Sequence, residues 1–266
     1  RVKKMRQNRS LTMRILIAND DGIDAPGIAL LRQAAARVAS DIWVVAPERK
    51  WTAASHHLSF DKELTLARRE QQVYALNGTP ADCVVAAMTV LFRGGGQPDL
   101  VLSGVNDGRN AAEDAAYSGT LSIAREASFW KLPAIGFSRT KGGTSEERDV
   151  AALAALIENL WRTRAQWTRE GTFLSVNLPK ELPTEVGLAG IGRDKIAGAA
   201  DIVSEEGDKI VWRIRRGRPH TSRPGDENSL IDSGRIAIVR HCWSDGAPLD
   251  AEFAVELNAV LKQPAG

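Results

Sequence analysis

Apolar residues in the first two thirds of the chain follow two alternating rhythms. Residues 14–18 (RILIA) form a nearly continuous apolar run, as expected of a strand buried on both faces, and the run breaks at Asn19-Asp20-Asp21-Gly22. Pro26 then opens a stretch to about residue 38 in which Ile28, Leu30, Leu31, Ala34, Ala35 and Val38 recur at helical spacing. A second buried strand, 42–46 (IWVVA), ends at Pro47. Residues 58–76 read as a β-hairpin or extended excursion closed by the Asn77-Gly78 turn, and Pro80 starts a helix to about residue 92, stopped by Gly94-Gly95-Gly96.

The rhythm continues with a strand around 100–102, a long polar loop over 104–118 and a helix over 121–130. A strand over 134–137, a helix over 150–164 and a strand over 173–176 follow. Repeated strand–helix–strand order predicts an α/β fold: a mostly parallel sheet with helices on both faces. The last third differs. Short alternating runs fill 186–215, with turns at Glu206-Gly207-Asp208 and Gly217, and a polar Gly- and Pro-rich stretch follows over 217–229. A strand over 236–239 and a terminal helix over 251–261 complete the chain. The expected division is a core over 13–180 and a β-rich C-terminal extension over 181–266.

Composition narrows the class. Of 266 residues, 43% are hydrophobic and 26% charged, which fits a soluble globular protein and excludes fibres, coiled coils and disordered chains. The longest apolar run, 150–157, falls far short of the roughly 20 residues that span a bilayer. No apolar stretch follows the basic start, and only Cys83 and Cys242 are present, so a cytoplasmic protein without a disulfide framework is expected. The formal charge of +2 is misleading. Five basic residues fall within the first ten positions with no acid, leaving a body of 30 basic and 33 acidic residues, net −3. Residues 1–12 therefore read as a basic, solvated extension, and no nucleic-acid or membrane face is expected.

In an open parallel sheet, sites form where loops leave the carboxyl ends of strands. Asp20 and Asp21 follow the first strand, residues 46–52 (APERKWT) the second and residues 103–110 (SGVNDGRN) the third. Two carboxylates, a hydroxyl and a carboxamide can meet there. That all-oxygen set suits a hard divalent cation such as Mg²⁺ or Mn²⁺. Such an ion can polarise a phosphoryl group and activate water. Asn-Asp-Asp-Gly is also good turn chemistry, so an N-capped turn is the competing reading. Ser118-Gly119-Thr120 begins a helix whose N–H groups attract phosphate, although taken alone ordinary capping by Ser118 or Thr120 explains it better. There is no G-x-x-x-x-G-K-[ST] loop, and no G-x-G-x-x-G follows the first strand. His56-His57 reads as a structural loop pair and Cys83 as core; Trp51 and Tyr117 suit packing or stacking on a base.

Several blocks occur in the order of one known family: Met13-Arg14-Ile15-Leu16 leading to Asn19-Asp20-Asp21-Gly22-Ile23, then Val44-Val45-Ala46-Pro47, Asn77-Gly78-Thr79-Pro80-Ala81-Asp82-Cys83-Val84, Ser103-Gly104-Val105-Asn106, and Tyr117-Ser118-Gly119-Thr120. The chain thereby resembles the SurE family, survival-protein phosphatases that act as metal-dependent nucleotidases. The resemblance implies a Rossmann-like core and a C-terminal extension that builds homodimers or homotetramers. It implies one divalent cation (Mg²⁺ or Mn²⁺) per subunit held by Asp20, Asp21, Thr52 and Asn106, with Asp20 and Asp21 catalytic. Phosphate contacts are implied at Asn110, Ser118, Gly119 and Thr120. Thr52 stands where the family usually has Ser. Ala111-Ala112 replaces the family's Leu/Met-Gly, and Arg125 replaces a small helix residue. Ser55 would need a three-residue register shift to act as the ligand.

The expected activity is hydrolysis of nucleoside 5′-monophosphates, with 3′-monophosphates as a second class. A catalytically impaired nucleotide-binding relative is the main alternative. A receiver-like signalling module is a further alternative; it predicts an acceptor Asp after the third strand and a Lys after the fifth, where Ser103-Gly104-Val105-Asn106 and Asn177-Leu178-Pro179 stand and count against it. A haloacid-dehalogenase-like phosphatase would need D-x-D after the first strand, which is absent.

Overall fold

The computed structural model describes residues 11–194, 198–215, 222–244, 246, 251, 252, 254 and 255. The basic stretch 1–10, Gly217 and most of the expected terminal helix lie outside the described residues, although 251–252 and 254–255 are helical. The elements run β1(Leu11–Ala18), α1(Pro26–Ala36), β2(Ala39–Pro47), β3(Leu66–Glu70), β4(Val73–Leu76) and α2(Pro80–Ala86), which continues into a π-helical turn over Ala87–Leu91. Then come β5(Leu100–Asp107), α3(Asp114–Tyr117), α4(Gly119–Phe129), β6(Ala134–Arg139), α5(Glu147–Arg162) and β7(Thr172–Leu178). β8(Val186–Leu188), β9(Ala200–Glu206), β10(Lys209–Ile214), α6(Glu227–Asp232) and β11(Ile236–Cys242) complete the described chain.

Nine strands form one sheet in the order β3-β4-β2-β1-β5-β6-β7-β11-β8. The six strands from β4 to β7 run parallel, and β3 and β11 are antiparallel to their inner neighbours. Alternate residues of β1 supply opposite faces. Ile15 and Ile17 join Ile28 and Leu31 of α1 and Leu153 and Ile157 of α5 in one core. Leu16 and Ala18 join Cys83 and Val84 of α2 and Leu121 and Ile123 of α4 in the other. Both faces are therefore covered by helices, as the apolar rhythm predicts for a Rossmann-like fold.

Three expectations are refined. The excursion over 58–76 contains strands only from Leu66, and its hairpin reverses at Gln71-Gln72, ahead of the bend at Asn77-Gly78 that follows β4. The Asn77 side chain accepts the Thr65 N–H at 2.7 Å, tying the two ends of the hairpin together just before Thr79 caps α2. The polar loop expected over 104–118 is partly regular: β5 extends to Asp107 and α3 forms a short turn. Beyond residue 180, β8 and β11 extend the main sheet, and only β9 and β10 form a separate two-stranded sheet. On that ribbon Ile202, Val203, Ile210, Val211, Trp212 and Ile214 are each more than half exposed.

Candidate active site

Pairing of Ala18 with Ser103 and of Ile17 with Val44 brings the carboxyl ends of β1, β2 and β5 side by side. The loops that leave them are stitched together: the Trp51 N–H donates to the Asp20 carbonyl at 2.7 Å, and the Asp107 N–H to Asp21 Oδ2 at 3.2 Å. The turn after β1 is held by Asn19, whose Nδ2 donates to the Gly22 carbonyl at 2.7 Å while its Oδ1 accepts the Gly22 N–H at 3.2 Å. Turn chemistry thus rests on the asparagine. Neither Asp20 nor Asp21 is used for capping.

Asp20 is 7% exposed, and its Oδ1 accepts the Thr120 hydroxyl at 2.5 Å. Burial raises its carboxyl to about 6 against the Thr120 hydrogen bond, and the charge of Asp21 adds to the rise. Gly119 makes this approach possible, because a Cβ there would lie 2.7 Å from the Asp20 Cβ. Asp21 contacts the Lys50 ammonium through Oδ1. Asn106 donates its amide nitrogen to the Gly108 carbonyl at 2.8 Å, which leaves the carboxamide oxygen as the end able to meet a cation.

Asn110 is buried and donates to Ser138 Oγ at 2.7 Å, while its backbone N–H and carbonyl are both bonded by the Asn177 carboxamide at 2.9 Å. Ser118 Oγ accepts the Leu121 N–H at 3.0 Å, so its side chain is the N-cap of α4. Thr52 is exposed on the loop that follows β2. Ser55 donates to the Ala116 carbonyl at 2.8 Å and takes the Tyr117 carbonyl through its N–H, so its hydroxyl is committed to the α3 turn.

A cavity of about 500 Å³ is lined by Asp21, Lys50, Asn106 and Asp107 together with Asp24, Arg139 and Thr144, whereas Asp20, Thr52, Asn110 and Ser118-Gly119-Thr120 are not among its lining residues. The Arg139 guanidinium is committed to Asp149 at 3.1 Å and to the carbonyls of Pro179 and Lys180. Among the described residues no three His, Cys, Asp or Glu side chains cluster as a metal site. A cation at Asp20 and Asp21 would therefore need neutral oxygens to complete its shell. This donor chemistry fits Mg²⁺ or Mn²⁺ and suits Zn²⁺ poorly.

Lys50, Asp107 and the partner of His56 escape the sequence reading. His56 Nε2 meets Glu126 Oε2 at 2.8 Å, Glu126 also accepts the Trp130 indole N–H at 3.0 Å, and the His56 ring stacks on Phe129. A glutamate among the small and apolar residues of α4 was the available signal, since buried carboxylates are almost always paired.

The Survival protein SurE family model matches residues 15–197. The chain is 37% identical over 244 residues to the 5′-nucleotidase SurE of Cereibacter sphaeroides (strain ATCC 17029 / ATH 2.4.9), covering 85% of this chain and 92% of that protein. It is 34% identical over 263 residues to the 5′-nucleotidase SurE of Stenotrophomonas maltophilia (strain R551-3), covering 95% and 100%. The crystal structure of the SurE protein from Aquifex aeolicus superposes with a TM-score of 0.74 at 26% identity, covering 94% of this chain and all of that one. The family match, the identity to curated relatives and the superposition agree, and the chain belongs to the SurE family.

Proposed function

We propose that the chain is a divalent-metal-dependent 5′-nucleotidase that hydrolyses nucleoside 5′-monophosphates to nucleoside and phosphate, with 3′-monophosphates as a second substrate class. The observation that carries this reading is the release of Asp20 and Asp21 from turn duty by Asn19, at the point where three strand ends converge. The names of the relatives supply the reaction class.

Asp20, Asp21, Asn106 and Thr52 would hold one Mg²⁺ or Mn²⁺ per subunit. Bound there, the ion supplies positive charge that polarises the phosphoryl group and acidifies water. Thr120 fixes the Asp20 carboxylate, and the Gly119 cradle keeps it against the start of α4. Backbone N–H groups at Gly119 and Thr120, together with the Asn110 carboxamide, face the phosphate and stabilise charge on its equatorial oxygens. Direct attack by water is favoured over an aspartyl-phosphate because both aspartates would be committed to the ion. Ser118 contributes through its backbone, because its hydroxyl caps the helix.

The same reading places the enzyme in the cytoplasm, with support from two free cysteines. It makes the protein a homodimer or homotetramer, with support from the exposed apolar ribbon of β9 and β10. Among the described residues, no helix is long and apolar enough to cross a membrane.

Phosphate release from a panel of nucleoside monophosphates with Mg²⁺, Mn²⁺ or chelator, run beside Asp20→Asn, tests the assignment. Release should need metal and collapse in the variant. A folded wild-type protein silent with every metal would instead be a nucleotide-binding relative without turnover.

A further inference from the structure

We propose that Lys50 is a built-in competitor for the divalent cation: in metal-free protein its ammonium occupies the cation position on Asp21, and an ion binds by displacing it. The inference rests on the metal reading above and concerns how tightly that site can hold its ion.

Three observations support it. First, the competition is for one carboxylate. Asp21 accepts the Asp107 N–H on Oδ2, and its other oxygen, Oδ1, is the atom that Lys50 contacts. Second, the ammonium lies in the field of Asp20 and Asp107 as well as Asp21, so it neutralises the same cluster a divalent ion would. Adjacent carboxylates at low exposure repel each other unless a cation lies between or beside them. Third, the partners are unequally anchored. The Asp21 side chain is 9% exposed whereas that of Lys50 is 56% exposed. Lys50 can swing into water on its four-carbon stem, and Asp21 cannot follow. Displaced, the ammonium remains beside the cavity wall that both residues line.

A resident cation that must leave lowers apparent metal affinity by the fraction of protein in which it is bound, a cost that removing its charge abolishes. Calorimetric titration of Mn²⁺ into chelator-treated protein, without nucleotide, reads this directly. Lys50→Met should bind Mn²⁺ about tenfold more tightly than wild type, as expected for removing one unit charge near the ion. Lys50→Arg, which keeps the charge, should stay close to wild type. Equal or weaker binding by Lys50→Met overturns the proposal while leaving the metal site intact. If neither wild type nor Lys50→Met binds Mn²⁺, the metal reading and the competitor fall together.

Discussion

The Glu227 carboxylate, in the first turn of α6, accepts the Ala112 backbone N–H at 2.7 Å and so fixes the loop that carries Asn110. It also accepts the Gly192 N–H at 3.3 Å and the Asn177 amide at 3.4 Å, and Asn177 in turn clamps the Asn110 backbone in both directions. Ala112 is held at φ +55°, a conformation that costs a non-glycine residue about 1 kcal/mol or more. One buried acid thus supports the Asn110 loop from beneath.

Burial raises the Glu227 carboxyl to about 7 against the Ala112 and Gly192 hydrogen bonds, and Asp226 and Asp114 add to the rise. A folded-state value above the ordinary 4.5 means that the native protein binds this proton more tightly than the unfolded chain. The associated stability is complete below about 4.5 and is lost as pH rises to about 7, on the order of 3 kcal/mol in all. Glu227→Gln should flatten that part of the curve, so that its melting temperature gains on wild type between pH 5 and 7. Parallel melting curves would refute the assignment.

Gly119→Ala forces a Cβ to within 2.7 Å of the Asp20 Cβ and 3.1 Å of Pro80 Cγ. Overpacking of this kind costs about 1–3 kcal/mol, and the only relief moves Asp20 out of register. Denaturant midpoint and phosphate release should fall together. A variant as stable and active as wild type would show that the approach is not needed.

Asp149→Ala leaves the Arg139 guanidinium, 6% exposed, without its carboxylate. Breaking a buried pair from one side costs about 3–5 kcal/mol, and the unfolding midpoint in urea should drop accordingly. A drop under 1 kcal/mol would mean that the Pro179 and Lys180 carbonyls suffice to hold the arginine.

Asn110→Ala separates two roles for one side chain. As a donor to developing charge on phosphate, its loss should reduce kcat/KM on the order of a hundredfold. As a brace against Ser138 alone, its loss would lower stability with little kinetic effect. Steady-state kinetics beside thermal melts distinguishes the two.

The strands that build the site were legible because burial on both faces leaves continuous apolar runs, as in 14–18 and 42–46. Asp20 and Asp21 stood out because two acids end such a run. The reversal at Gln71-Gln72 carries no Gly, Pro or Asn to announce it, whereas Asn77-Gly78 closes the excursion and Asn77 accepts the Thr65 N–H. β8 carries only three residues with mixed exposure, so nothing in its pattern announced that it would extend the main sheet. Glu227 and Glu126 find their partners 115 and 70 positions away, a distance at which no local periodicity carries information.

Under the oligomeric reading proposed above, the β9–β10 ribbon would make part of the protein's stability depend on its own abundance. Two strands alone are marginal in water, and this pair presents consecutive apolar residues, Ile210-Val211-Trp212, on both of its faces. Were a second copy to cover them, that part of the folding free energy would become bimolecular and follow mass action. The ribbon's own transition, read through Trp212, would then shift with protein concentration, while the nine-stranded sheet, which closes its core within one chain, would melt independently of it.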